Sequence, residues 1–306
     1  MSAVLAPAAP RAGATGGDQP QSTSPKGRAL PTIAWVGLGM LAVLAILALG
    51  SRWFAGYRIT ELSGDPLEAP SAGHLLGTNA VGQDVASQLV HGARMSLFIA
   101  LVAGAGTVVI GALIGTFAGW RGGRTDAALM RVVDLVMVTP SLPLLIVLGA
   151  YAGPSITTIA LIIAATSWPP SARVIRAQVL SLRGRAHLQA AVSFGARTSH
   201  VMRHHIFPEV GLIVASAFVG AAGRAVMIEA GLAFLGLGDP TRASWGRLLR
   251  DALDFDSLFE TDAWAWWLVP PVAAIALLML ALAFVGIGIE QRINPRVSRH
   301  TSGRAR

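Results

Sequence analysis

Six long apolar runs, near residues 31–50, 95–119, 128–152, 155–171, 208–237 and 264–289, constrain the fold of this chain more than any other feature. The first run has no charged residue and about 20 residues, enough to cross ~30 Å of hydrocarbon. Charged residues make up only 13% of the chain, against roughly 25% in an ordinary soluble domain. Because a helix satisfies its own backbone in lipid, we expect an all-α membrane protein with six transmembrane helices.

The remaining segments suggest how the chain is divided. The first thirty residues are rich in Ala, Pro, Gly and Ser without an apolar period, which indicates a disordered tail. A cleaved signal peptide is the rival interpretation of the first run, but its apolar core would be about 7–15 residues. The expected parts are a tail at 1–30, a first span at 31–51, an extracytoplasmic loop at 52–94, a core at 95–290 and a cytoplasmic tail at 291–306.

The placement of arginine predicts the orientation, because loops rich in Lys and Arg stay on the cytoplasmic side. The segment between the fourth and fifth runs carries six arginines and no acid. By contrast, 57–87 and 239–262 contain more acids than arginines. Both termini are therefore expected in the cytoplasm. The basic residues lie between apolar runs rather than on a soluble face, so they predict contact with membrane lipid and no binding of nucleic acid.

Several kinds of chemistry are missing from the sequence. There is no cysteine, and Lys26, the only lysine, follows Pro25, so no phosphate-binding loop ending in Gly-Lys exists. His200 and His204 have helical spacing, but their basic loop has no carboxylate, and we expect no metal site. No catalytic constellation can be assembled. We therefore expect a non-enzymatic chain, and any ATP that drives it must be hydrolysed by another subunit.

The basic loop 183–208 has a pattern of its own. It predicts two short helical segments joined by a bend at Gly195, followed by Pro208 in the first turn of the fifth span. Ala190 and Ala191 allow the close approach of a partner surface. Two interpretations stay open on these residues alone: a docking surface for another protein, or a loop that faces lipid headgroups.

The spacing in this loop resembles a known family. Gln189-Ala190-Ala191, then Gly195, then His-Ile-Phe-Pro ending at Pro208, is similar to the EAA loop of ABC importer permeases, with Gln in place of Glu and Phe in place of Leu. The segment 75–97 and the stretch EAGLAFLGLGDP, which begins at Glu229, resemble signatures of the dipeptide, oligopeptide and nickel permease family. These similarities occur in the family's order from about residue 35 to 296.

The resemblance implies a type I ABC importer permease in the bacterial plasma membrane. It implies a second permease chain, two ABC ATPase subunits that hold ATP and Mg²⁺, and an extracytoplasmic substrate-binding protein, with no cofactor in this chain. It favours di- or oligopeptides as substrate, with nickel, a metal chelate or another small solute as alternatives. The ATPase-docking residues that it implies are Gln189, Ala190, Ala191, Gly195, His205 and Pro208.

A different class of protein is also considered. A self-sufficient secondary transporter would show inverted repeats around charges at the membrane midplane. The chain shows no internal repeat, and its spans are poor in carboxylates.

Three ionisable residues at membrane depth are candidates for the pathway or a gate. Asp134 lies three positions after Arg131, which predicts either a local ion pair or a gate contact. Arg224 and Glu229 lie near each other on the fifth run. They predict either structural pairing or contact with a translocated substrate.

Overall fold

A computed structural model describes residues 30–153 and 155–293, so most of the expected tails 1–30 and 291–306 lies outside the described residues. The described chain is an array of helices, as the sequence predicts. Their bounds are α1 Thr32–Leu49, α2 Ser51–Phe54, α3 Val85–Arg121, α4 Gly123–Val138, α5 Ser141–Ala152, α6 Ile156–Ser167, α7 Pro169–Arg183, α8 Ala186–Ser193, α9 Thr198–Val201, a π-helical turn Met202–Ile206, α10 Phe207–Phe234, α11 Trp245–Leu253, α12 Ala263–Trp267 and α13 Val269–Ile293.

The number of membrane-spanning helices depends on two bent pairs. Within residues 30–153 and 155–293, four stretches are long and apolar enough to cross a membrane by themselves, and the count rises to 6 if each bent pair is one span. The pair α4–α5 bends by 83° and the pair α6–α7 by 45°. Pro140 and Pro169 lie at the two breaks, where a missing N–H and the proline ring prevent a continuous helix. The run 128–152 is therefore two helices at a steep angle rather than one straight span.

Helix α3 begins at Val85, inside the segment 52–94 that was expected to be a loop. Its first turn is capped by Asp84, whose carboxylate accepts a hydrogen bond from the Ser87 N–H at 2.7 Å. The ten residues 85–94 are too polar to count as an apolar run, but they continue the same helix. The structure thus corrects the end of that loop from 94 to 84.

Helix α3 is the centre of the molecule, and it packs against α1, α6, α7 and α10. Small residues allow these close crossings. A Cβ atom at Gly104 would lie 3.1 Å from the Ala222 Cβ on α10, and one at Gly115 would lie 2.4 Å from the Ala172 carbonyl oxygen on α7. The helices that line the core are therefore held at backbone-contact distance by glycine.

The segment 55–84 folds together with α11 and α12 at one end of the bundle. Trp245 is buried against Gly92, and its Nε1 donates to the Leu89 carbonyl at 3.0 Å. Trp266 Nε1 donates to the Thr78 carbonyl at 3.3 Å. Each indole has an apolar body and one donor, so it can fill a packed interface and satisfy a carbonyl there. Trp245 thus joins α11 to the start of α3, and Trp266 joins α12 to the segment 55–84.

Candidate functional site

The loop that contains α8 and α9 is held to the bundle by buried aliphatic side chains. Leu188, Val201 and Ile206 are at most 2% exposed and pack in one cluster with Val179 and Leu182 of α7. The loop therefore has a fixed inner side, and its outer side is free to contact another molecule.

The chain path through this loop is the one that the sequence predicts. Helix α8 ends at Ser193, and Gly195 follows with a φ of +81°, a left-handed conformation that favours glycine. Helix α9 and the π-helical turn then lead into α10, in which Pro208 occupies the first turn.

The predicted docking residues lie on or beside the outer side. The side chains of Gln189, Ala190 and Pro208 are exposed, and His205 is half-buried. Ala191 lies within α8, but its side chain is outside the described part of the structure. The structure therefore brings these residues to one end of the bundle.

Phe194 is the residue of this surface that the sequence analysis missed. Its side chain is 91% exposed, directly before Gly195 at the turn between α8 and α9. Covering this ring with a partner would remove its apolar surface from water, which is favourable. A phenylalanine next to the turn glycine of a polar loop is the signal that would have identified it.

The electrostatics of this end are basic and partly organised by ion pairs. Arg185 Nη1 donates to Glu209 Oε2 at 2.5 Å, which joins the start of α8 to the first turn of α10. Arg183 Nη1 donates to the Gly119 carbonyl at 3.2 Å. The rings of His200 and His204 stack with centroids 4.2 Å apart. Within the described ranges, no group of three or more His, Asp or Glu side chains is arranged to hold a metal ion.

The prediction that Asp134 forms a local ion pair with Arg131 is wrong. The carboxylate of Asp134 instead accepts a hydrogen bond from Arg173 of α7. A second pair, Asp126 with Arg176, joins the same two helices at 2.6 Å between Nη2 and Oδ2. Both pairs connect α4 to α7, which the sequence could not reveal because the partners are far apart in the chain.

The prediction that Arg224 pairs with Glu229 is also wrong. Glu229 is 3% exposed and lies beside Ser244, the residue that caps α11, and its Oε2 has no hydrogen-bond partner in the described structure. Arg224 is exposed on another side of α10 and lines a groove. The two charges are thus separated by the helix that carries both.

Comparison of the sequence with known proteins identifies its family. Residues 111–299 match the family described as binding-protein-dependent transport system inner membrane component. The chain belongs to this family of ABC transporter permeases. The match begins within α3 and includes the α8–α9 loop and the groove.

Curated relatives cover nearly the whole permease. A Brucella suis biovar 1 (strain 1330) protein, whose name describes a peptide permease, is 35% identical over 285 residues, or 90% of this chain and 93% of the relative. The oligopeptide transport system permease protein OppC of Bacillus subtilis (strain 168) is 31% identical over 271 residues, 87% of each chain. The dipeptide transport system permease protein DppC of the same strain is 32% identical, over 87% of this chain and 83% of the relative.

Proposed function

We propose that the chain is one permease of an ATP-driven importer that takes di- or oligopeptides from an extracytoplasmic binding protein. It supplies half of the translocation pathway, and a second related permease supplies the other half. Both termini lie in the cytoplasm, and the arginine-rich end with α8 and α9 faces that side. The peptide permease relatives support the substrate class.

The exposed α8–α9 surface is the single observation that carries the docking role. Its inner side is anchored by Leu188, Val201 and Ile206, so a force on the outer side is transmitted to α7 and α10. Phe194 and Ala190 offer apolar surface to a groove on an ATPase subunit. The same subunit binds ATP and Mg²⁺, and this chain hydrolyses nothing.

The mechanism follows from that connection. ATP binding closes the ATPase dimer and draws the two docked loops together. Because the loop is packed against α7 and leads directly into α10, the motion tilts these helices and opens the pathway outward. Hydrolysis and release of the nucleotide return the helices to the inward-facing arrangement.

Co-purification from the native membrane tests this function. The tagged chain should bring an ATPase, a second permease and a binding protein that holds a peptide. A Gly195→Asp variant should lose about tenfold or more of the ATPase, because a side chain and a charge enter a left-handed position on the docking surface. Gly73→Asp, in an exposed loop at the other end without a positive φ, is the matched control. Equal ATPase recovery from both variants would contradict the docking role.

A further inference from the structure

Helices α10 and α13 form the walls of an open groove of about 620 Å³ at the surface of the bundle. On α10 it is lined by Gly220, Gly223, Arg224 and Met227, whose spacing places them on one helix face. Met279 and Leu282 of α13 contribute to the opposite wall. The groove is therefore mainly apolar and contains one arginine within the membrane-spanning part of α10.

The environment of Arg224 differs from that of the other charged residues described above. Among residues 30–153 and 155–293, no carboxylate forms an ion pair with it. The other ionisable side chain of the groove, Glu290, belongs to the last turns of α13. The Nη1 of Arg224 lies 3.4 Å from where a Cβ of Gly220 would be, so the guanidinium extends along the groove over a glycine.

Lipid is a poor occupant for this groove. A guanidinium among hydrocarbon chains is costly, and charged residues at membrane depth normally face a water-filled cavity or an anionic partner. Arg224 is exposed, so nothing within the described chain shields it. The groove thus suits an occupant that is apolar over most of its length and anionic at one point.

We propose that this groove binds the cargo and that Arg224 binds its carboxylate group. The inference rests on the proposed function and names the chemical class that the site recognises: peptide-like solutes with a free terminal carboxylate. The planar guanidinium can donate two parallel hydrogen bonds to a carboxylate. Peptides differ in their side chains but share this group, so one fixed charge serves all of them.

The rest of the groove fits a variable ligand. Met227 and Met279 have flexible, polarizable side chains that adapt to different apolar shapes. Gly220 adds no side chain, which leaves room for the Arg224 guanidinium to extend along the groove. In this groove, Arg224 would thus select the carboxylate, and Met227 and Met279 would tolerate different side chains of the peptide.

The test uses the whole importer reconstituted in proteoliposomes, with a tripeptide and its C-terminal amide as probes. Each probe is supplied at a concentration that saturates the binding protein, so that the two probes are delivered equally. In the wild type, the free acid should be taken up faster than the amide. Arg224→Gln should lower uptake of the free acid by about tenfold to a hundredfold, because a charge-assisted hydrogen bond is lost. Uptake of the amide should change less than about twofold.

Two further variants keep the result interpretable. Arg224→Lys retains the charge without the two-pronged geometry and should give intermediate uptake of the free acid, with unchanged membrane insertion. Arg52→Gln, an exposed arginine outside the groove, should leave both rates as in the wild type.

The contrary outcomes separate the two proposals. If Arg224→Gln lowers acid and amide uptake equally, or lowers neither, the cargo site is overturned. Loss of the second permease from the purified Arg224→Gln complex would also overturn it and assign the arginine to an interface between permeases. If the wild-type chain recovers no ATPase or second permease, the proposed function fails before the groove is tested.

Discussion

At the scale of single residues, Phe194 and Gly195 have complementary roles in the α8–α9 surface. The glycine adopts a φ of +81° that turns the chain, and the phenylalanine before it is left in solvent. Interfaces between proteins are enriched in aromatic side chains, because a ring buries much area with little loss of conformational entropy. The ring is therefore expected to contribute more to ATPase binding than any other side chain of the loop.

Phe194→Ala should weaken ATPase binding by about 2 kcal/mol, or roughly thirtyfold, the size of an interface hot spot. The measurement is a titration of the purified ATPase against the chain in nanodiscs. Phe259→Ala is the control, since Phe259 is also well exposed but lies at the other end of the bundle. An unchanged affinity in Phe194→Ala would show that the ring lies outside the interface.

The two ion pairs between α4 and α7 differ in burial, and their contributions to the free energy of unfolding should differ accordingly. Asp126 is 13% exposed and its partner Arg176 30%, whereas Asp134 and Arg173 are each 48% exposed. Asp126→Asn should therefore lower the free energy of unfolding by about 1–3 kcal/mol. Asp134→Asn should lower it by no more than about 1 kcal/mol, because water screens the exposed pair.

Thermal unfolding in detergent, followed by intrinsic tryptophan fluorescence, measures both changes. A double-mutant cycle of Asp126→Asn with Arg176→Gln should return a favourable coupling energy for this less exposed pair. A larger loss for Asp134→Asn than for Asp126→Asn would reverse the expected order and show that exposure does not determine the strength of these pairs.

At the scale of helices, contact between α3 and α7 depends on the absence of side chains. A Cβ at Gly115 would meet the Ala172 carbonyl oxygen at 2.4 Å, and a backbone atom cannot move aside by a rotamer change. The crossing is thus maintained by glycine at the point of closest approach. Because α7 also contacts the loop that contains α8 and α9, this crossing lies between that loop and the centre of the bundle.

Gly115→Ala should destabilise the chain by about 1–3 kcal/mol through overpacking, although alanine is the better helix former. Gly149→Ala in α5 is the matched control, because its added methyl group meets no atom within 4 Å. That variant should be neutral or slightly more stable, by up to about 1 kcal/mol. Thermal midpoints of the two variants in the same detergent give the comparison, and similar midpoints would exclude tight packing at Gly115.

At the scale of the whole molecule, the two ends differ in charge and in structure. One end carries α8, α9 and a cluster of arginines, and the other carries α11, α12 and the acid-rich segment 239–262. A positive-inside arrangement requires the arginine-rich end to remain in the cytoplasm. The proposed ATPase-docking surface is therefore expected on the cytoplasmic side, opposite the end that carries α11 and α12.

The absence of cysteine from the sequence makes this orientation directly measurable. In intact cells, Phe259→Cys should react with a membrane-impermeant maleimide, and Phe194→Cys should react only after permeabilisation, because both positions are exposed but lie at opposite ends. Labelling of Phe194→Cys in intact cells would reverse the topology and place the proposed ATPase surface outside.

Much of the architecture can be derived from local sequence. Apolar runs identify the helices that cross the membrane, because hydrocarbon length and backbone satisfaction depend only on consecutive residues. The spacing from Gln189 to Pro208 likewise predicts the helix, bend and helix of the loop, which the structure confirms. The apolar runs did not predict the polar start of α3, since residues 85–94 are helical without being apolar.

What the sequence by itself determined is the all-helical membrane fold and the form of the loop that contains α8 and α9, since both follow from near neighbours in the chain. Only the tertiary structure decided that Arg173 rather than Arg131 pairs with Asp134, and that Arg224 and Glu229 face different surroundings. These outcomes depend on the helix bends and on which faces pack together. Such contacts join residues far apart in the chain, and no local pattern encodes their partners.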